Sequence, residues 1–420
     1  MCPISGPSRA AFLFLAVFPI LVMAEEQTNT QEGLRRAIEH AEKQIYLSPN
    51  DIQLHFTRGM LLGELARYAE AADEFRWMLT RNPALLRPRL ELGRMLMLDK
   101  NYEGARYHFE QVLANDLPDA VGRNVLHILS RIREELPSLS FAFDIVSDSN
   151  PRQATSDNEI VLGGLRYRLS ANSQAKAAAG FRFTLDGKLP IGQASLSYVR
   201  IGGEQQRFRD SEVDLGYLQL ATGRTFRYSD FSLTLDAGVH HGDYGGRPLY
   251  DGAIFSISAF KQVLPNIGIK TSFSGKQFDY DTYPHLGGWQ HVLDVNVLYA
   301  SSPTARWEVL GSLVRQSAKE SPYSYLLPAV GARYLKEWPG GWLIGMGIHA
   351  NAARYDSADP FFGIHRNDRE IRVEADVANR QWSFMKFTPR LQLGITNHKS
   401  NINLFAFRRS FVRLGMTAEF

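Results

Sequence analysis

Cysteine is almost absent from this chain of 420 residues, in which only Cys2 is found. A disulfide scaffold, a paired-cysteine zinc site and a cysteine nucleophile are therefore excluded. Charge of one sign is not in large excess either, because 47 Lys and Arg residues stand against 44 Asp and Glu residues. This balance argues against a dedicated nucleic-acid binder. Apolar runs of ~18 residues or more are missing beyond the N-terminus, so no membrane-spanning helix is predicted there.

The N-terminus has the pattern of an export signal. Arg9 precedes an apolar run over residues 10–24, which is too short to span a bilayer comfortably, and acidic residues follow it directly. We therefore predict that residues 1–24 are a signal peptide, which would also remove Cys2 from the exported chain.

Residues 25–137 are predicted to form a helical domain built on an internal repeat. Apolar residues recur there at helical spacing, and a shift of 34 residues superimposes similar side chains. The pairs are Gly59 and Gly93, Leu62 and Leu96, Tyr68 and Tyr102, Ala71 and Ala105, Phe75 and Phe109, and Leu79 and Leu113. This order resembles the tetratricopeptide repeat, a helix–turn–helix unit. Two full repeats with flanking capping helices are predicted.

From residue 138 onward the apolar period changes to two. Residues 371–377 and 412–420, for example, alternate apolar side chains with polar or charged ones. Such alternation indicates a sheet that is apolar on one face and wet on the other. A soluble sandwich would bury these charges in its core, whereas a wide barrel places them in an aqueous lumen.

Short turns and long polar loops alternate along this second half. The long loops are predicted near residues 148–157, 203–211, 241–250, 278–288, 317–323, 354–367 and 397–404. Seven such loops imply fourteen strands, although residues 158–202 can hold a further hairpin that would make sixteen. The predicted fold is therefore N-terminal tetratricopeptide-like helical repeats followed, over residues 138–420, by a 14-stranded antiparallel outer-membrane β-barrel.

The last residues of the chain resemble the C-terminal signal by which the barrel-assembly machinery recognises its clients. The matching residues are Arg413, Gly415, Ala418 and Phe420. The simpler interpretation is a last strand that happens to end in an aromatic residue.

Chemistry-bearing motifs give little support to an enzyme. The sequence lacks HExxH, a phosphate-binding GxxxxGK[ST] and a GxSxG elbow. His240 and His241 are adjacent on a predicted strand, so their side chains point to opposite faces and do not easily share a metal. We predict no catalysis, no cofactor and no metal site.

Several short motifs in the barrel half, together with the order of the two halves, resemble one family. The motifs are Phe141-Ala142-Phe143-Asp144, Asp148-Ser149-Asn150, Leu189-Pro190-Ile191-Gly192, Arg366-Asn367-Asp368, Thr388-Pro389-Arg390, and Ser400-Asn401-Ile402 followed by Phe405 to Arg409. They are similar to the surface lipoprotein assembly modulator (Slam) family of the type XI secretion system. The repeat domain here is short for that family.

The resemblance implies an outer-membrane barrel with a periplasmic repeat domain. Such proteins deliver surface lipoproteins, or soluble haem- and metal-acquisition proteins, from the periplasm to the cell surface without a cofactor. The implied partners are the client protein, the barrel-assembly machinery and outer-membrane lipid, and no nucleic acid. An exopolysaccharide export porin with a periplasmic repeat arm is the main alternative, and a plain porin or barrel enzyme with an accessory domain is a third.

A client-binding groove is expected on the first helix of each repeat, which normally lines the concave face. The residues at these positions are Gln53, Phe56, Met60, Glu64, Arg87, Leu90 and Arg94. Their mixture of apolar and charged side chains suits the extended tail of a client protein. They can equally be a solvated face with stacking contacts.

Overall fold

The computed structural model describes residues 31–115, 117–162, 164–191, 196–228, 230–302 and 304–419. The chain divides into two compact units between Leu136 and Pro137. The predicted signal peptide at residues 1–24 and the terminal Phe420 lie outside the described residues. Within the described part, none of the helices combines the length and the apolar character that a membrane crossing requires.

Six helices form the described part of the first unit. They are α1 (31–47), α2 (Ile52–Glu64), α3 (Tyr68–Arg81), α4 (Leu86–Leu98), α5 (Tyr102–Leu113) and α6 (Asp119–Glu135). Asp51 caps α2 by accepting a hydrogen bond from the backbone N–H of Gln53 at 2.8 Å. The helix pairs α2–α3 and α4–α5 turn in the same way, because Ala66 and Lys100 both adopt left-handed backbone conformations. The predicted pair of tetratricopeptide-like repeats is confirmed.

Close helix packing explains the glycine and phenylalanine positions of the repeat. A Cβ on Gly59 would lie 2.9 Å from the ring of Phe75, and one on Gly93 would lie 3.1 Å from the ring of Phe109. Each glycine thus leaves the space that a second-helix phenylalanine fills, and both rings are fully buried. Burial of one such side chain contributes about 1.5–3 kcal/mol. The same core continues through the unit with Leu62, Met78, Leu92, Met95, Val112, Val125, Leu129 and Ile132.

The second unit is a closed antiparallel barrel of fourteen strands. The strands of this unit are β1 (Ser138–Asp148), β2 (Glu159–Leu162), β3 (Leu165–Arg168), β4 (Ala178–Ile191), β5 (Ser197–Phe208), β6 (Leu215–Arg227), β7 (Phe231–Tyr244), β8 (Arg247–Leu264), β9 (Ile267–Phe278), β10 (Gly288–Ser302), β11 (Ala305–Ala318), β12 (Tyr325–Trp338), β13 (Trp342–Ala358), β14 (His365–Asn379), β15 (Phe387–Ser400) and β16 (Phe407–Glu419). Consecutive barrel strands pair with each other, and β1 pairs with both β4 and β16 to close the barrel.

The strands β2 and β3 pair only with each other and stay outside the barrel. The region 158–202 therefore does contain the extra hairpin that the sequence allowed. This hairpin lies within the connection between β1 and β4. Because it pairs with no strand of the barrel, it does not enlarge the barrel. The prediction of fourteen barrel strands is confirmed, and the sixteen-stranded barrel is wrong.

Strand alternation separates an apolar outer face from a polar lumen. On β16, Val412, Leu414 and Met416 are exposed outward, while Arg413 and Gly415 face the lumen. On β1, Phe143 and Ile145 are exposed, while Asp144 is fully buried on the inner side. An apolar outer face is what a transmembrane barrel presents to lipid.

The two ends of the barrel are distinguished by where the first and last strands begin and end. We call the end that carries Ser138 and Glu419 the terminal end, and the opposite one the loop end. Exposed tryptophans lie near strand ends, as interfacial aromatic girdles require. In the barrel unit they are Trp307, Trp338, Trp342 and Trp382 at the terminal end and Trp289 at the loop end.

The prediction of a long loop near residues 241–250 is wrong. Residues Gly245 and Gly246 alone connect β7 to β8, and both have left-handed backbone conformations with φ of 60° and 71°. A two-residue hairpin turn requires this geometry, which glycine adopts without strain. The polar residues on either side of the turn belong to β7 and β8. A strand that extends beyond the lipid into water can carry polar side chains on both faces, so polar composition does not identify a loop here. Likewise, most of the predicted loop 203–211 is strand, since β5 continues to Phe208.

Candidate functional sites in the repeat groove and the barrel lumen

The predicted groove residues occupy matching positions on the first helices of the two repeats, α2 and α4. The charged and amide members are exposed, whereas the apolar members are half-buried against the helical core. Phe56, for instance, contacts Phe75 edge to face with ring centroids 5.8 Å apart. The apolar members therefore also act as stacking contacts. The exposed members are Gln53, Glu64, Arg87 and Arg94, and the half-buried ones are Phe56, Met60 and Leu90.

A buried glutamate that the sequence analysis missed holds the two groove arginines. Arg87 Nη2 lies 2.8 Å from Glu91 Oε1, and Arg94 Nη1 lies 3.5 Å from Glu91 Oε2. The arginine side chains are 69% and 51% exposed, whereas that of Glu91 is only 7% exposed. One carboxylate thus supports two guanidinium groups, and the three residues together carry a net positive charge on the surface of α4.

A second missed cluster ties α1, α2 and α3 together. His55 Nδ1 lies 2.5 Å from Glu74 Oε2, and Arg58 bonds to both Glu74 and, at 2.8 Å, Glu42. The imidazole of His55 also stacks on Trp77 with centroids 3.5 Å apart. Because Glu42, Arg58 and Glu74 lie on three different helices, this cluster fixes the helices rather than forming an exposed site.

The pKa of one half-buried histidine in the helical unit is shifted by its surroundings. His108 lies on α5, where burial together with the charges of Arg89 and Arg76 lowers its pKa. The structure therefore favours the neutral imidazole.

The lumen is lined by ion pairs that concentrate where β1 meets β16, which we call the seam. Asp144 on β1 accepts hydrogen bonds from Arg182 Nη1 at 3.2 Å and from Arg390 Nη2 at 2.8 Å. Arg182 also bonds to Glu204 at 2.6 Å. Four residues up the same strand, Asp148 accepts two hydrogen bonds from Arg409 on β16 at 2.9 and 2.6 Å. The seam is thus closed by buried charges as well as by the backbone ladder.

A second group of charges lies on the inner face of β14. His398 on β15 approaches Asp368 Oδ2 at 3.3 Å and Glu370 Oε2 at 3.2 Å. Arg366 pairs with Asp368 at 2.7 Å, and Arg333 pairs with Asp376 at 2.5 Å. These contacts give this part of the lumen a polar, charge-compensated wall.

The residues of the predicted barrel-assembly signal lie on β16. Arg413 faces the lumen and stacks over Phe411 at 4.2 Å, and no ion pair of Arg413 with a carboxylate is found among the described residues. Gly415 faces the lumen beside Asp144, and Ala418 is buried opposite Phe141. Phe420 lies outside the described residues. The role of these residues as an assembly signal stays a prediction.

The adjacent histidines diverge as expected. His240 points inward and bonds to the carbonyl of Gln277 at 2.6 Å, whereas His241 points outward, is half-buried and pairs with Asp251 at 2.7 Å. The part of the chain that the structure describes holds no group of three or more side chains arranged to bind a metal ion.

Sequence comparison identifies the family. The profile described as surface lipoprotein assembly modifier (SlipAM) matches residues 138–420, which is the whole barrel unit. The chain belongs to the surface lipoprotein assembly modifier family. Surface lipoprotein assembly modifier 1 of Haemophilus influenzae is 18% identical over 387 residues, which cover 87% of this chain and 77% of that protein. The surface lipoprotein assembly modifier of Moraxella catarrhalis is 20% identical over 388 residues, covering 89% and 74%.

The solved structures similar to this member of the surface lipoprotein assembly modifier family include several outer-membrane barrels. A bacterial polysaccharide outer membrane secretin, for example, gives a TM-score of 0.35 at 11% identity and covers 68% of this chain and 99% of its own. Family membership and the closed barrel together identify an outer-membrane β-barrel protein of surface lipoprotein assembly, and the predicted resemblance is confirmed.

Proposed function

We propose that this protein delivers specific client proteins from the periplasm to the cell surface, with the helical unit in the periplasm. The observation that carries the proposal is the family match, which covers every strand of the barrel. The family is named for the assembly of surface lipoproteins, and the related proteins of Haemophilus influenzae and Moraxella catarrhalis bear the same name. Clients of this chain are surface lipoproteins or soluble proteins for haem or metal acquisition.

The repeat groove is the proposed receptor for the client. Arg87 and Arg94 project from α4 on either side of the half-buried Leu90, and Glu91 holds both of them from below. Such a surface offers two charge-assisted hydrogen-bond donors around an apolar contact. An extended client segment with acidic side chains around an apolar one complements it.

The barrel is the proposed route of the client across the membrane, or the entrance to that route. Its inner face carries ion pairs along β1, β14 and β16, so a polar chain would meet a charged wall rather than an apolar one. We further propose that the barrel-assembly machinery inserts the barrel through the β16 residues described above.

The test is a comparison of surface proteins between wild-type and deletion strains. Intact cells are treated with protease, and released and secreted proteins are quantified by mass spectrometry. We expect the deletion to remove one or two specific proteins from the surface or the medium, and the wild-type gene to restore them. An unchanged protein profile with loss of surface polysaccharide would overturn the proposal in favour of polysaccharide export.

Groove variants separate the receptor from the translocator. The double variant R87E/R94E should reduce client display at an unchanged barrel level, because it reverses the charge of the groove. The matched control R35E/R36E makes the same charge change on exposed residues of α1. Equal client display in the two variants would contradict the groove proposal while leaving translocation by the barrel intact.

A further inference from the structure

Four cations form a continuous row on the outward face of the barrel near the loop end. Arg354, Arg369, Lys399 and Arg408 lie on the consecutive strands β13, β14, β15 and β16, and all four are exposed. Arg369 and Lys399 are direct cross-strand partners. Arg354 is paired with Asn367, two residues before Arg369, and Arg408 is paired with Asn397, two residues before Lys399. Direct and diagonal neighbours of this kind lie about 5–8 Å apart.

These four residues, which we call the outward basic row, have no acidic counterpart. Among the described residues, none of the four forms an ion pair with a carboxylate, and the outward positions of β14 between residues 367 and 377 include no Asp or Glu. The neighbouring Arg315 provides a contrast, because it bonds to both carboxylate oxygens of Asp356. Like charges directly opposite each other destabilise a sheet. An external anion bound between Arg369 and Lys399 would relieve this repulsion.

The outward basic row lies at the border of the lipid-facing band. On β14 the next outward residues toward the terminal end are Ile371 and Val373. On β15 the outward residue next to Asn397 in the same direction is Ile395. On β16, Val412 and Leu414 follow Arg408 and Ser410. Cations that stand directly above an apolar band lie at the level of lipid headgroups.

We propose that the outward basic row binds the phosphate groups of lipid A in the outer leaflet. The inference rests on the proposed function in one respect, namely that the helical unit is periplasmic and the loop end faces outward. Lipid A carries two phosphates on a rigid disaccharide, and the forked donors of arginine match phosphate oxygens well. The acyl chains of the same molecule then lie along Ile371, Ile395 and Val412. The ligand is thus a phosphorylated glycolipid held by its headgroup and its chains together.

The experiment uses the purified full-length protein in detergent and measures binding of bisphosphoryl lipid A by native mass spectrometry. Lipid A with both phosphates removed and phosphatidylglycerol are the comparison lipids. The double variant R369Q/K399Q should weaken binding of bisphosphoryl lipid A on the order of ten-fold or more, since two headgroup-level cations are lost. The control R315Q/D356N, which removes a compensated pair beside the row, should bind like the wild type. The charge-conserving variant R369K/K399R should retain most of the binding.

Several results would overturn the proposal. They are wild-type affinity in R369Q/K399Q, equal affinity for dephosphorylated lipid A, and equal affinity for phosphatidylglycerol. A folded barrel is verified for each variant by its heat-dependent gel mobility; if R369Q/K399Q does not fold, R369Q alone is compared with R315Q/D356N. Failure of the proposed function is seen separately, as unchanged client display in the deletion strain despite intact lipid A binding. Cleavage of the helical unit by protease on intact cells would instead overturn both proposals, because the loop end would then face the periplasm.

Discussion

Arg390 reaches Asp144 across the intervening strand β16, with Nη2 2.8 Å and Nε 3.2 Å from its carboxylate oxygens. Both residues are register partners of Gly415, and Asp144 is in turn the partner of Arg182 on β4. The four residues therefore form one row across four strands, in which a glycine leaves the space for an arginine to pass. The seam of the barrel is fixed by this row.

Removal of the shared carboxylate should weaken the seam strongly. The Asp144 side chain is fully buried, and D144N removes a charged acceptor from both Arg390 and Arg182, of which Arg182 still has Glu204. Loss of one member of a buried charge group costs about 3–5 kcal/mol. Urea unfolding of the purified barrel measures this loss. In a double-mutant cycle, D144N/R390Q should be less destabilised than the sum of the single variants, and strict additivity would contradict direct coupling.

A methyl group at Gly415 should also disrupt closure. A Cβ at this position would overlap the carbonyl oxygen of Phe143 and the carboxylate of Asp144, so strands β16 and β1 must separate to admit it. We expect G415A to destabilise the barrel by about 1–3 kcal/mol or to prevent its assembly. Gly311 on β11 is the matched control, because nothing lies within 4 Å of its Cβ position. Loss of heat-dependent gel mobility at the same temperature in G311A and G415A would show that the close contact at Gly415 does not determine barrel stability.

The helical unit should depend on the phenylalanines that fill the glycine positions. F75A removes a fully buried ring that packs against Gly59, and such truncations cost about 3–5 kcal/mol. The decrease is measured as loss of the helical circular-dichroism signal of the full chain during urea unfolding. The exposed Tyr107 provides a control, since Y107A should change the free energy of unfolding by no more than about 0.5 kcal/mol.

Acid should destabilise the helical unit through His108. Because the folded state lowers the pKa of this imidazole, its unfolded form binds a proton more readily. The contribution of His108 is fully present above its ordinary pKa of about 6.5 and is lost as the pH falls below that value. Thermal unfolding of the helical signal between pH 8 and 5 should show a falling midpoint. H108Q should reduce the slope, and an unchanged slope would show that other groups dominate.

Local periodicity made the two halves predictable from sequence. The glycine and phenylalanine positions of the repeat determine contacts between neighbouring helices, such as that of Gly59 with Phe75, which are close in the chain. Strand alternation likewise identified the lumen side of Arg413 and Gly415. Loop boundaries were less predictable, because polar composition does not distinguish a loop from a strand that extends into water. The tight turn at Gly245 and Gly246 shows this.

Long-range ion pairs could not be derived from sequence in the same way. Asp144 is 38 residues from Arg182 and 246 residues from Arg390, and no local pattern links such distant positions. Five of the motifs that carried the family resemblance nevertheless contain residues of the lumen network, namely Asp144, Asp148, Asp368, Arg390 and Arg409. The resemblance thus located these positions, and the structure explains them as buried partners.

The seam also sets the order in which the barrel can be completed. Each hairpin from β4 to β16 joins strands that are neighbours in the chain, whereas the pairing of β1 with β16 links opposite ends of the barrel sequence. Closing so long a loop is entropically costly and comes late in folding. One edge of β1 therefore stays unpaired until β16 arrives, and an open strand edge invites pairing with other chains. The interval before the row of Arg390, Gly415 and Asp144 forms is when a nascent barrel is most exposed to misassembly.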